Sequence, residues 1–140
     1  MEYRANSSFE IKFVFDFGLC TLNKYIDAER KDKQFAANIK KKLTPKVYLH
    51  TLNRLCKMPE YNRECLFAVD IYWQTKDNRT DSDNIYFAIK FILDGLVESK
   101  AIIKDGRKYI RDINHKIQTT GKEKIVVVLK KATERNFILE

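Results

Sequence analysis

Apolar and polar positions alternate from Phe9 to Phe17. Phe9, Ile11, Phe13, Phe15 and Phe17 fall on one side, and Glu10, Lys12, Val14 and Asp16 on the other. A period of two predicts a strand with one buried face. Residues 18–24 read as a connecting loop. From Lys33 to Leu43 the spacing changes to Phe35, Ala36, Ile39 and Leu43, which predicts a helix. Thr44 followed by Pro45 predicts the start of a second helix, with Thr as N-cap and Pro in the first helical position. Its buried stripe would be Tyr48, Leu52, Leu55 and Cys56, and Pro59 would stop it.

Alternation returns from Glu64 to Thr75, with Cys65, Phe67, Val69, Ile71 and Trp73 on one face, and predicts a central strand. After a polar loop over 76–80, Ser82 to Lys100 carries Ile85, Ala88, Ile89, Ile92, Leu93 and Leu96 at helical spacing. Gly95 is a mild irregularity in that helix, and a turn around Gly106 follows. Tyr109 to Gln118 alternates as a strand, with Tyr109, Ile113 and Ile117 pointing one way. Residues 120–122 turn, and Ile125 to Leu129 is a last strand. The expected hairpin pairs 109–118 with 123–130. This order of elements predicts one α/β (α+β) domain over 1–140, with a mixed sheet packed against helices.

Composition supports that picture. The 140 residues are 44% hydrophobic and 12% aromatic, enough to fill one core, and four glycines and two prolines argue against disorder or a Pro-rich linker. Cys20, Cys56 and Cys65 show no metal-binding spacing and are expected to be reduced and core-packed, as in a cytoplasmic protein. No apolar run reaches the ~20 residues of a membrane span, so no membrane partner is expected. With 27 basic and 19 acidic residues the net charge is +8, which points to a polyanionic partner, nucleic acid first.

The chemistry concentrates in Arg79-Thr80-Asp81-Ser82-Asp83-Asn84. Two aspartates two residues apart at a loop-to-helix junction can turn their oxygens toward one hard cation such as Mg²⁺. Asp and Ser before a helix are also ordinary caps. With the buried stripe on Ile85, Ile89 and Ile92, a rotation of about 100° per residue puts Asp83, Phe87, Lys90 and Asp94 on the opposite side. Lys90 then lies roughly 10 Å along the helix from Asp83, a gap its side chain can partly close. The bland alternative is a solvated lysine. A third carboxylate, Asp105, sits in an Asp-Gly dipeptide, which is also a common turn.

Asp81-Ser82-Asp83-Asn84-Ile85, then Lys90-Phe91-Ile92-Leu93-Asp94-Gly95-Leu96, then Ile102-Ile103-Lys104-Asp105-Gly106 together resemble the RusA-type Holliday junction resolvases, in their phage and prophage branch. Thr21-Leu22-Asn23-Lys24-Tyr25-Ile26 and Ala28-Glu29-Arg30 also look similar to that family. The resemblance covers roughly residues 20 to 112. It implies a RusA-like fold, a homodimer, a four-way DNA junction as substrate and Mg²⁺ as cofactor, with Mn²⁺ as a substitute. It further implies Asp81, Asp83 and Asp105 as metal ligands and Lys90 as the catalytic lysine. The expected reaction is phosphodiester hydrolysis by paired symmetric nicks, leaving 5′ phosphates. Two features depart from the family pattern. The interval from Asp83 to Lys90 is about one helical turn longer than in the shortest members, and Lys104 stands where many have an aspartate.

Between Lys33 and Lys57 there are seven basic residues and no acidic one, densest at Lys40, Lys41 and Lys42. A lysine run is usually a solvated face. A nuclease with acidic ligands nevertheless needs a basic surround to hold phosphate. Lys24 and Arg30 are the first candidates for DNA contact, followed by Arg79, Arg107, Lys108 and the Lys40–Lys42 run. Tyr25, Tyr72 and Tyr86 are better explained by packing than by stacking on bases. His50 and His115 form no pair by spacing, and His115 reads as a surface or sheet residue. Two rivals stand beside the resolvase reading: a non-catalytic basic nucleic-acid-binding protein whose aspartates only cap, and a metal nuclease for other branched DNA.

Overall fold

The computed structural model describes residues 10–16, 33–79 and 81–132, with the backbone alone for 33–42, 83 and 84. Its elements are β1 (Glu10–Phe15), α1 (Lys33–Leu55), β2 (Phe67–Thr75), α2 (Ser82–Tyr86), α3 (Ile89–Glu98), β3 (Ile110–Thr119) and β4 (Lys124–Lys131). The four strands form one mixed sheet in the order β1-β4-β2-β3. β4 pairs antiparallel with both β1 and β2, whereas β2 and β3 run parallel. Parallel neighbours need a crossover, and α2 with α3 supplies it. The expected mixed α+β domain is present in this form.

β1 and β2 bury the faces their alternation assigns, and β4, apolar from Ile125 to Leu129, turns its odd-numbered residues there to the same side. Ile11, Phe13 and Phe15 of β1, Phe67, Val69, Ile71 and Trp73 of β2, and Ile125, Val127 and Leu129 of β4 are all buried. They meet Val47 of α1, Ile85, Ala88, Phe91, Ile92 and Leu96 of the crossover, and Ala101 and Ile102 beyond it. The helices thus lie on one side of the sheet, and no described element covers the other.

Several expectations are corrected. Residues 33–55 form one continuous helix of 23 residues with Pro45 inside it, so Thr44 is not an N-cap. Proline removes the hydrogen bond to the carbonyl one turn back, and here packing carries the helix past that defect. Its buried stripe is Thr44, Val47 and Thr51, while Tyr48, Leu52 and Leu55 are half-buried and Cys56 is exposed. The stripe turns to these small residues because the helix crosses α3 at Gly95. A Cβ added there would stand 2.5 Å from Val47 Cγ1 and 3.2 Å from the Tyr48 amide. Gly95 is a point of close helix contact and no mere irregularity. Cys56 and Cys65 are free thiols, exposed and half-buried respectively; Cys20 lies outside the described residues.

The expected hairpin does not pair. β3 and β4 lie on opposite sides of β2, and the turn between them passes over the end of that strand. The Thr120 and Gly121 amides donate to the Thr75 carbonyl at 3.0 and 3.3 Å, and Gly121 takes a positive φ of 87°. The helix expected over 82–100 is broken at Phe87–Ala88. There the bonds tighten to the three-residue type, Ala88 N to Ile85 O at 3.2 Å and Lys90 N to Phe87 O at 3.4 Å. No described helix is long and apolar enough to cross a membrane.

Candidate metal centre and basic surround

The segment after β2 is folded by its own short polar side chains. The Thr75 hydroxyl donates to the Asp77 carbonyl at 2.9 Å, and the Arg79 amide donates to Asp77 Oδ1 at 3.1 Å. The Arg79 guanidinium also reaches Asp77 Oδ2 at 3.7 Å across an open surface. Such exposed pairs contribute little to stability, so the role of this turn is directional. It delivers the chain to Asp81, whose carbonyl accepts from the Ile85 amide at 3.2 Å and opens α2. Asp81 therefore takes the N-cap position, with its carboxylate on an exposed residue. Asp83 follows within α2, and its side chain is not among those described.

Lys90 is exposed at the start of α3. Its ammonium lies 5.2 Å from the centre of the Phe87 ring, a cation–π distance. The side chain is thus drawn back over the helix break, onto a residue nearer Asp83 in the chain. The break also means that a straight-helix angle no longer relates Asp83 to Lys90.

Asp105 lies elsewhere. It is exposed in the connection from α3 to β3 and lines an open hollow with Asp94, Val97, Glu98 and Lys104. That connection enters β3 at Ile110, which pairs with Phe67 at the start of β2. Asp81 instead follows the end of β2. A strand of nine residues spans roughly 30 Å, so the two aspartates leave opposite ends of the β2-α2-α3-β3 unit. Among the described residues no three His, Cys, Asp or Glu side chains gather as a metal-holding group. Asp81 and Asp83 supply hard oxygen donors within one turn, and Mg²⁺ commonly takes one or two protein carboxylates and keeps several waters. Within a single chain the donor set fits that pair, without Asp105.

The basic candidates divide between the same two ends. Arg79 accompanies Asp81. Arg107 and Lys108 are exposed beside Asp105, with the Lys108 ammonium 5.7 Å from the Tyr109 ring. Lys40, Lys41 and Lys42 lie in α1, where only the backbone is described, and Lys24, Arg30 and Tyr25 fall outside the described residues.

No protein-family model matches this chain, and no curated protein matches it significantly.

Two polar clusters escape a reading of the sequence by motif. On the uncovered sheet face, Asp70 accepts from Lys130 at 2.6 Å and from Asn114 at 3.2 Å, tying β4, β2 and β3 together. Burial pushes the Asp70 carboxyl up, but the bonds from Lys130 and Asn114 and the charges of Lys130 and Lys116 outweigh it and hold it low. On the helix-covered face, the Trp73 indole N–H donates to His115 Nδ1 at 3.0 Å. The Tyr86 ring stacks on that imidazole at 4.4 Å. His115 shares parity with Ile113 and Ile117, which was a usable signal of its inward direction. Its partners depend on β3 lying beside β2 and were not legible. Tyr72, the other aromatic weighed for base stacking, is half-buried on the uncovered face.

Proposed function

We propose that this chain is a structure-selective, Mg²⁺-dependent DNA endonuclease that nicks four-way junctions in symmetric pairs. The observation that carries the proposal is an exposed Asp81 at the N-cap of α2, with Asp83 in the same turn and the Lys90 ammonium drawn back over Phe87. The +8 charge supports a polyanionic substrate, and the RusA-type resemblance supports the junction. Bound between these carboxylates, Mg²⁺ would lower the pKa of water and offset charge on the phosphate. Asp81 and Asp83 would hold and orient the ion. Lys90 would face the phosphate, and Arg79, Arg107 and Lys108 would hold the flanking backbone.

Asp105 enters this scheme through a dimer. Because it leaves the opposite end of the crossover unit from Asp81, the three carboxylates converge only between two copies. A twofold dimer would then carry two composite sites, matching the paired nicks a junction requires. The rival reading is a non-catalytic nucleic-acid-binding protein. It is favoured by the capping position of Asp81 and by the separation of Asp105 within one chain.

A synthetic four-way junction incubated with and without Mg²⁺ separates the two. Nicking is expected only with the metal. Asp81→Asn and Asp83→Asn are expected to bind the junction but lose cleavage by two orders of magnitude or more. Undiminished cleavage by either variant sinks the metal assignment. Mixing an Asp81→Asn chain with an Asp105→Asn chain then tests the composite site. If the sites cross the dimer, one heterodimer site is intact and nicking returns; if each chain holds its own site, the mixture stays inactive.

A further inference from the structure

We propose that His115 is a positioning residue: through Trp73 and Tyr86 it fixes α2, and with it the Asp81–Asp83 turn, only while its imidazole is neutral. The role assigned to that turn rests on the nuclease reading above; the coupling of His115 to α2 does not.

The donor chemistry comes first. An indole N–H can only donate, and Trp73 is 3% exposed, so it has little recourse to water. His115 Nδ1 accepts its hydrogen bond at 3.0 Å. A ring nitrogen that accepts has its lone pair free, so the single proton of the neutral ring is on Nε2. Protonation would set N–H against N–H and leave a buried donor unpaired.

The second link is to α2. This helix has five residues, too few to persist by its own hydrogen bonds. Its described tertiary anchors are the buried Ile85 and the Tyr86 ring. Tyr86 lies 4.4 Å from the imidazole and 6.3 Å from the indole. Losing the indole–imidazole bond would therefore loosen one of two anchors for the segment that begins at Asp81.

Among the described residues, the groups facing the ring offer an imidazolium no counter-charge. From α2 comes the Tyr86 phenol. From β2 come Trp73 and Ile71, which pairs with His115 in register. On β3 itself Ile113 and Ile117 flank it, while Asn114 and Lys116 project to the other sheet face. Burial accordingly pushes the imidazole below the ordinary histidine range. The sign follows. As the pH drops through the ordinary histidine range the unfolded chain binds the proton first, so stability falls, and the loss is complete once the folded pKa is passed.

Trp73 is the only tryptophan in the chain, so its fluorescence reports the ring beside it, and imidazolium quenches indole. The test is a pH titration of that fluorescence alongside hydrogen exchange at the Ile85 and Ala88 amides, corrected for intrinsic rates. In the parent protein, acid quenching and loss of amide protection are expected at one midpoint, with protection falling at least tenfold. In His115→Gln, whose side chain can accept the indole proton but does not titrate, both changes should vanish. Quenching without loss of Ile85 protection overturns the proposal, as does the absence of any acid transition. So does an unchanged exchange midpoint in His115→Gln. If that variant does not fold, coincidence or divergence of the two parent midpoints decides. Mg²⁺-dependent junction cleavage at neutral pH, measured separately, bears on the nuclease reading alone.

Discussion

The two ends of the crossover between β2 and β3 are built in opposite ways. At the α3 end, packing is dense and redundant. Gly95 lies against Val47, while Leu96, Ala101 and Ile102 are fully buried. The Tyr61 hydroxyl donates to the Ala101 carbonyl at 2.5 Å, and burial holds that phenol far above its ordinary range. At the α2 end, one helical turn hangs from Ile85 and an aromatic stack, and the bonds that open and break it measure 3.2 to 3.4 Å. The candidate chemistry divides along the same line, with Asp81 and Asp83 on the lightly anchored end and Asp105 beside the dense one. Local stability is expected to follow this division, leaving the Asp81–Asp83 turn free to adjust while the far end stays fixed.

The largest expected effect on stability tests the dense end. Gly95→Ala places a methyl 2.5 Å from Val47 Cγ1 and 2.7 Å from Val47 Cβ. Neither helix has slack at that crossing, and overpacking of this kind costs about 1–3 kcal/mol. Chemical denaturation should show that loss, and Val47→Ala in the same chain should recover part of it. A neutral Gly95→Ala would mean that α1 and α3 are not in this contact.

The next effect has the opposite sign. Thr51 is fully buried on the inner stripe of α1, and its hydroxyl has no hydrogen-bond partner among the described residues. Thr51→Val keeps the shape and removes an unsatisfied polar group, so a gain of about 1 kcal/mol is expected. A loss on thermal or chemical unfolding would show that the hydroxyl has a partner after all.

Much of this architecture was legible in the residues. Alternation assigned the buried faces of β1 and β2 correctly, because a half-buried sheet imposes period two on each strand. What failed was what distant contacts decide. Pro45 looks like a helix start in local sequence, yet helical packing against Gly95 overrides it. A short polar turn between two strands reads as a hairpin, yet Thr120 and Gly121 carry the chain across Thr75 to the far side of β2. For the site, the Asp81 junction followed from motif and spacing. The separation of Asp105 was implicit in the order strand, helix, strand, since parallel strands place the two connecting loops at opposite ends. A site that uses all three carboxylates therefore requires a second copy of the chain.

The smallest expected effect concerns how the dense end is closed. Lys100 is the only non-glycine described with positive φ, at 67°. It follows Ser99 at the end of α3. Its amide donates to the Val97 carbonyl at 3.0 Å, and the Ala101 amide reaches the Leu96 carbonyl at 2.9 Å. That pair of bonds is a Schellman cap, and Ala101 and Leu96, the positions where the motif places its apolar pair, are both buried. Glycine is the usual residue at the left-handed position because a Cβ is strained there. Lys100→Gly should relieve that strain, worth roughly 1 kcal/mol. The greater freedom of glycine in the unfolded chain offsets part of this, so the net gain should be about 0.5 kcal/mol. The substitution also removes one positive charge from the connection that carries Arg107 and Lys108. A more stable protein whose binding to a four-way junction is weaker and depends less steeply on salt would place Lys100 among the phosphate contacts. Unchanged binding would confine its role to the cap, and lower stability would contradict the left-handed geometry itself.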